Sequence, residues 1–326
     1  MNREGRSKQI YVLKAFAILS VVCAHMKLTI SQGDVGWISN KIISVYAILG
    51  VAAFFICSGF FYSRKKGDSI EFWKKKIHTL VVPWILWSLL TFLLRTLLDH
   101  QSFSAIDLFK WSIGVQTWYY FVTVLLMLFV IFKLFQKKYL IGILIALSLV
   151  SNVLTIMGIW RDSEWMTPYL NPLNWVIFFA LGILWRTYEY EISEIIHKNI
   201  CVCVGGGFLI FIILFYIQVF ADTEITYWNE LSMLFEISGV AVFMFISYWL
   251  RNVQILNNIG KNTYFIYLTH MQIVGVINTR LPQNNFFYLL KPMIGLIVVY
   301  LIGTMIIKIA RVMKLDDYLW ILGLRY

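Results

Sequence analysis

The chain has 326 residues, 60% of them hydrophobic and 14% charged, with a mean hydropathy of +0.74 and a formal net charge of +11. A water-soluble domain of this length could not cover so much apolar surface with so few charges, so the composition excludes a soluble globular protein. It points to spans of about 20 apolar residues in a bilayer.

With no water at membrane depth, each span must satisfy its own backbone hydrogen bonds, which leaves helices or a closed barrel. The apolar runs are long and continuous, without the short strict alternation of barrel strands. The expectation is therefore an all-α, polytopic helix bundle, with residues 1–326 forming a single transmembrane domain.

In chain order the runs fall near 10–30, 41–62, 77–98, 114–135, 139–160, 172–187, 200–220, 230–250, 262–280 and 286–310, which predicts about ten spans. The first follows Arg3 and Arg6, carries Lys14 and His25, and lacks a small-residue cleavage site. It reads as a retained helix and not as a signal peptide. The four cysteines, Cys23, Cys57, Cys201 and Cys203, lie in apolar stretches without a ligand-spaced His or Cys. They read as small buried residues, and no metal site is expected. No internal repeat or low-complexity segment interrupts the pattern.

Basic residues set the orientation. If the amino terminus is cytoplasmic, the inner segments hold Arg3, Arg6 and Lys8, then Arg64, Lys65, Lys66 and Lys74 to Lys76, then Lys133, Lys137 and Lys138. They also hold Arg186, Lys198, Arg251, Lys261, Lys308, Arg311, Lys314 and Arg325, twenty in all. The outer side holds seven: Lys27, Lys41, Arg95, Lys110, Arg161, Arg280 and Lys291. This bias predicts both termini in the cytoplasm of a multi-pass cell-membrane protein. The net charge is thus a topology signal and no nucleic-acid partner is expected.

Ionisable groups within spans are costly and mark a pathway or a site. Lys14 and His25 are eleven residues apart, close to three helical turns, so both lie on one stripe about 16 Å apart along the axis. The bland readings are snorkelling for Lys14 and a packing hydrogen bond for His25. Their shared stripe suggests instead an anion held at one level and proton chemistry at another. Glu236 shares a stripe with Ser232, Gly239 and Ser247 and needs a histidine or arginine partner on another helix. His270 shares a stripe with Thr263 and Tyr267, and Arg95 with Ser88 and Thr91. Trp118 and Tyr119 fall where an aromatic belt or a sugar-stacking surface would lie.

Four stretches, in order, carry a resemblance. Lys14 to His25, a basic residue, ten residues and a histidine, resembles the first-helix signature of the acyltransferase-three membrane family. Phe54-Phe55-Ile56-Cys57-Ser58-Gly59-Phe60-Phe61, followed by a basic loop and Pro83, resembles its second-helix motif. Trp118-Tyr119-Tyr120-Phe121 resembles the aromatic opening of a middle helix, and Ile259-Gly260 through Tyr267-Leu268-Thr269-His270 the late Gly to Tyr-Leu-x-His segment. One departure stands out. Family members often carry two basic residues three apart before the proline of helix three, and here these positions read Lys76 and Thr79.

The resemblance implies transfer of an acyl group, usually acetyl, from cytoplasmic acyl-CoA to a hydroxyl of a cell-envelope glycan or lipid-linked sugar. Acetyl-CoA or another acyl-CoA would be the donor substrate, with no tightly bound cofactor and membrane lipid around the protein. His25 is expected as general base, since an imidazole with an ordinary pKa of ~6.5 suits removal of a hydroxyl proton. Lys14 would bind the donor or stabilise negative charge, and Glu236 would orient His25 or join helices. Ser58, Gly59, Phe60, Arg64 and Lys76 would meet the donor, the basic loop receiving the CoA phosphates. Arg95, Trp118, Tyr119, Tyr267 and His270 would meet the acceptor. A rival reading is a transporter or flippase without bond chemistry, in which Lys14, His25, Arg95 and Glu236 line a polar path. A third is a module supplying substrate to a separate soluble enzyme.

Overall fold

Long apolar runs can satisfy their amides only along their own axis, and the computed structural model accordingly folds them as helices. It describes residues 3–26, 36–62, 69–98, 104–115, 117–135, 137–159, 167–199, 201–220, 226–282 and 285–325, and these contain no strand. The helices are α1 (Arg3–Ala24), α2 (Trp37–Ala47), α3 (Leu49–Phe60), α4 (Ser69–Lys76), α5 (Val82–Leu98), α6 (Ala105–Ile113), α7 (Tyr120–Leu134) and α8 (Lys138–Ile156). They continue with α9 (Val176–Thr187), α10 (Glu189–Lys198), α11 (Gly206–Phe220), α12 (Ser232–Leu250), α13 (Gln254–Lys261), α14 (Thr263–Arg280) and α15 (Asn285–Val312).

Each of the ten apolar runs carries a helix. Among the described residues seven stretches are long and apolar enough to cross a bilayer: Glu4–Ala24, Trp37–Phe60, Ile70–Leu98, Tyr139–Ile156, Val202–Phe220, Ser232–Leu250 and Phe286–Val312. The chain is thus a multi-pass membrane protein. Helices α7 and α9 are apolar but shorter. Helix α14 stands outside the seven, its run being diluted by Thr269, His270, Gln272 and Asn278.

The chain groups into two compact units, one of Met1–Phe61 with Leu181–Thr304 and one of Tyr62–Ala180 with Met305–Tyr326. In the first, α1 is the central helix, packed by α2, α3, α12, α13 and α14. Its residues Ile10, Val12, Leu13, Ile18 and Val22 are buried, covering more than one face, as a helix surrounded by helices requires. The span Trp37–Phe60 breaks at Ile48, between α2 and α3. Carbonyls at that break find a donor outside their helix: Ser20 Oγ lies 2.7 Å from the Tyr46 oxygen and 3.0 Å from that of Ala47. Tyr46 returns its hydroxyl to the Phe16 carbonyl at 2.9 Å. Gly260 lies directly on the Tyr11 carbonyl, which a Cβ would strike, so glycine sets the closeness of α13 to α1.

In the second unit, Pro83 has no amide to continue the ladder of its helix. The chain answers with a π-helical turn, Ile77–Val81, in which the Val82 amide reaches back to the Ile77 carbonyl. The carboxy-terminal turn Asp316–Leu322 packs there, with Trp320 stacked on His78 at 3.4 Å between ring centres and Trp87 Nε1 donating to the Leu322 carbonyl. A buried polar network joins α8 to the turn before α9. Asn174 accepts from Ser151 at 2.6 Å and donates to the Pro168 carbonyl at 3.0 Å, and Asn171 donates to Ser151 at 2.9 Å.

Cys23 and Cys57 are buried as expected, whereas Cys203 is exposed. It lies in the π-helical turn Cys201–Gly205 that opens α11, where the glycines Gly205 to Gly207 have no described atom outside their own stretch of chain within 4 Å of where a Cβ would stand.

Candidate active site

The carboxy-terminal end of α1 carries the first cluster. His25 sits in the turn just past α1, its amide donating to the Val22 carbonyl at 3.2 Å. Its ring faces that of His270, on α14, at 5.0 Å between centres. His270 is fully buried, and its Nδ1 lies 2.8 Å from the Tyr267 carbonyl oxygen. A carbonyl only accepts, so Nδ1 carries the proton and in the neutral ring Nε2 is the acceptor nitrogen. Tyr267 is itself buried, one turn away, with its ring 6.1 Å from that of His270. The structure therefore brings His25, His270 and Tyr267 together.

About three turns toward the amino terminus lies a second cluster. The Lys14 ammonium is 5.3 Å from the centre of the Phe61 ring. Phe60 is buried, packs on Trp185 at 4.4 Å and lies under the Arg186 guanidinium at 5.2 Å. Glu189 ties Arg6 at 2.6 Å and Arg186 at 3.3 Å. Ser58 is half-buried and Gly59 buried on the same stretch of α3. The closest helix approach there is made by Gly182, whose Cβ would collide with the Ile56 carbonyl. Trp185, Arg186 and Arg6 were missed by sequence reasoning. A basic residue at a helix end looks like any other contribution to the charge bias, and only the aromatic Trp185 beside it hinted at more.

Glu236 needs a correction. A cationic partner was expected, yet among the described residues none pairs with it. The side chain is 2% exposed and its Oε1 has no hydrogen-bond partner. Its neighbours along α12, Phe235 and Val240, belong to the apolar core. Ser232 and Ser247 are buried on the same stripe, as is Gly239.

The second unit holds the remaining candidates. Lys76 lies with its ammonium 4.0 Å from the centre of the Phe129 ring and 5.4 Å from that of Phe72. Arg64 lies outside the described residues. Arg95 is exposed, its guanidinium 4.9 Å from the Trp111 ring. Tyr119 is fully buried and shares a 3.1 Å hydrogen bond with Thr91, so its ring is spent on joining α7 to α5. Trp118 is half-buried against Trp111 and Tyr119. Among the described residues no three His, Cys, Asp or Glu side chains gather as a metal site would require.

A half-buried and a buried imidazole at one end of a central membrane helix, and a lysine against an aromatic ring toward the other, outline a candidate site within a membrane helix bundle. The family described as "Acyltransferase domain" matches residues 8–310, nearly the whole chain. The chain belongs to this family, the acyltransferase-three family of the sequence motifs. It is similar to the O-acetyltransferase OatA of Staphylococcus aureus strains NCTC 8325 and COL, 23% identical over 327 residues, covering 84% of this chain. The chain spans about half the length of these relatives, 51%. No solved structure matches it.

Proposed function

We propose that this protein is a membrane O-acyltransferase, moving an acetyl group from cytoplasmic acetyl-CoA to a hydroxyl of a cell-envelope glycan or lipid-linked sugar. The observation that carries the reading is the pairing of His25 with His270 at one end of α1, with Lys14 about three turns along the same helix. Family membership supports acyl transfer, and the name of the relatives supports acetyl as the group. The excess of basic residues on one side supports cytoplasmic termini and about ten spans.

In this reading acyl-CoA approaches the Lys14 end, where Lys14, Arg186 and Arg6 attract its phosphates. His25 removes the proton of the acceptor hydroxyl as its oxygen attacks the thioester carbonyl. The new C–O bond forms, the C–S bond breaks, and the CoA thiolate leaves and takes up a proton. His270, anchored on the Tyr267 carbonyl, sets the position of the His25 ring.

The test is acceptor-dependent release of CoA by the purified protein in nanodiscs, with mass spectrometry of envelope glycans from cells with and without the gene. His25→Ala is expected to abolish both the release and a glycan mass difference of one acetyl group. Wild-type activity in that variant overturns the assignment. Substrate movement across the bilayer without any CoA requirement would favour a transporter.

A further inference from the structure

Lys291 has no role in anything above. By position in the chain it counts merely as a basic residue near one end of the last long helix. The structure gives it a different setting. Residues Tyr288, Lys291, Gly295 and Val298 follow one another at helical spacing, so they form one stripe of α15. That stripe faces the His25 end of α1. Tyr288 packs with Cys23, Ile43 and Ala47. Gly295 lies on Met26 and Val22, and Val298 packs with the same pair. Lys291 sits between these contacts and is 1% exposed.

Among the described residues its Nζ has no hydrogen-bond partner. The Tyr288 ring lies beside it, 4.9 Å from Nζ to the ring centre. A ring face attracts an ammonium but replaces none of its three lost hydrogen bonds. Among the described residues no carboxylate pairs with it either. A lysine buried this way in a membrane helix is costly unless an anion joins it. The next residue, Pro292, cannot supply the amide that would bond the Tyr288 carbonyl, so the helix ladder is interrupted beside the ammonium. On α14, the other helix that packs on Met26, the Asn278 Oδ1 is also buried without a partner. An acceptor oxygen of that kind suits a ligand hydroxyl.

We propose that Lys291 is the anion-binding group of the acceptor site, holding a phosphate or carboxylate oxygen carried by the sugar whose hydroxyl is presented to His25. This rests on the acyltransferase reading for the identity of the site, but the binding itself is independent of any chemistry. The acceptor class is thus an anionic sugar, with Asn278 accepting from one of its hydroxyls. Lys291 acts as a specificity-determining residue.

The experiment measures binding of glucose 1-phosphate, glucuronate and glucose to the full chain in nanodiscs of neutral phosphatidylcholine. The expected result is that at least one anionic sugar binds about tenfold or more tightly than glucose to the wild type. Lys291→Met should remove the preference and Lys291→Arg should keep most of it. Whichever of the two anionic sugars binds more tightly identifies phosphate or carboxylate as the source. His25→Ala should keep the preference while losing transfer, so failure of the enzyme reading and failure of this one are separable. A wild type without preference, or a folded Lys291→Met that retains it, overturns the proposal. So does a preference that vanishes when phosphatidylglycerol is added, since a lipid headgroup would then be the anion held.

Discussion

The rings of His25 and His270 lie 5.0 Å apart, one at the carboxy-terminal turn of α1 and the other buried on α14. The Tyr267 carbonyl fixes the proton of His270 on Nδ1 and with it the plane of that ring. If His270 positions His25, its hydrogen-bonding shape matters beyond its volume. Replacing it by glutamine should lower the turnover of acyl transfer about tenfold, roughly 1.4 kcal/mol of transition-state stabilisation. Phenylalanine, which fills the space and cannot bond the carbonyl, should cost about a hundredfold or more. Initial rates of CoA release decide it, with melting temperature measured in parallel. Equal rates for glutamine and phenylalanine variants would reduce His270 to packing.

At the other end of the pair, Glu189 neutralises Arg6 and Arg186 beside the Phe60 and Trp185 rings. These cations are partly exposed, and exposed ion pairs contribute little to stability. In the proposed function they attract a polyanion, the acyl-CoA. Arg186→Leu should raise the KM for acyl-CoA several-fold while leaving kcat within about twofold, because uniform binding is lost. Glu189→Gln frees both guanidiniums and should lower that KM, most clearly at low ionic strength. An unchanged KM in both variants would remove this cluster from donor binding.

Lys14 and His25 were legible from the sequence because a single helix fixes their relation: spacing gives the stripe and the rise gives the separation. Tyr267 and His270 followed for the same reason, both lying on one helix. What spacing does not give is which helix faces which. The partner of His25 on α14, the Phe60–Arg186 contact and the lack of a cation beside Glu236 among the described residues all depend on packing between helices far apart in the chain. Lys291 was hidden by a related ambiguity. Near a helix end, a snorkelling lysine and a buried one have the same hydropathy, and only the apolar stripe Tyr288, Gly295 and Val298 distinguishes them. Most helices were legible because lipid demands length. The π-helical turn ahead of Pro83 and the break at Ile48 were not, being local answers to a missing amide and to the Ser20 hydroxyl.

In the second unit the Ser151, Thr155, Asn171 and Asn174 network is complete, and its amides and hydroxyls all find partners. Such a network fixes the turn before α9 and has no exposed group to offer a substrate. Asn174→Leu would leave Ser151 and the Pro168 carbonyl short of partners in a dry site, each costing about 1–3 kcal/mol. The melting temperature in detergent should fall by several degrees. The KM values of both substrates should stay near wild type in whatever fraction remains folded. A variant as stable as the wild type would mean that the turn is held elsewhere.

Glu236 poses the opposite case, a carboxyl 2% exposed on α12 with one oxygen unsatisfied and no cation among the described residues. A group placed at such a cost and without a partner there destabilises the resting fold, and under the proposed function it is kept for the chemistry. Replacing the carboxyl by an amide keeps the shape and removes the ionisable group. Glu236→Gln should therefore raise the melting temperature, or at least leave it unchanged, while lowering acyl transfer by about tenfold or more. Glu236→Leu should be at least as stable as the glutamine variant and no more active. If the glutamine variant instead melts earlier at full activity, Glu236 is a helix-joining residue whose partner forms only in the assembled membrane protein.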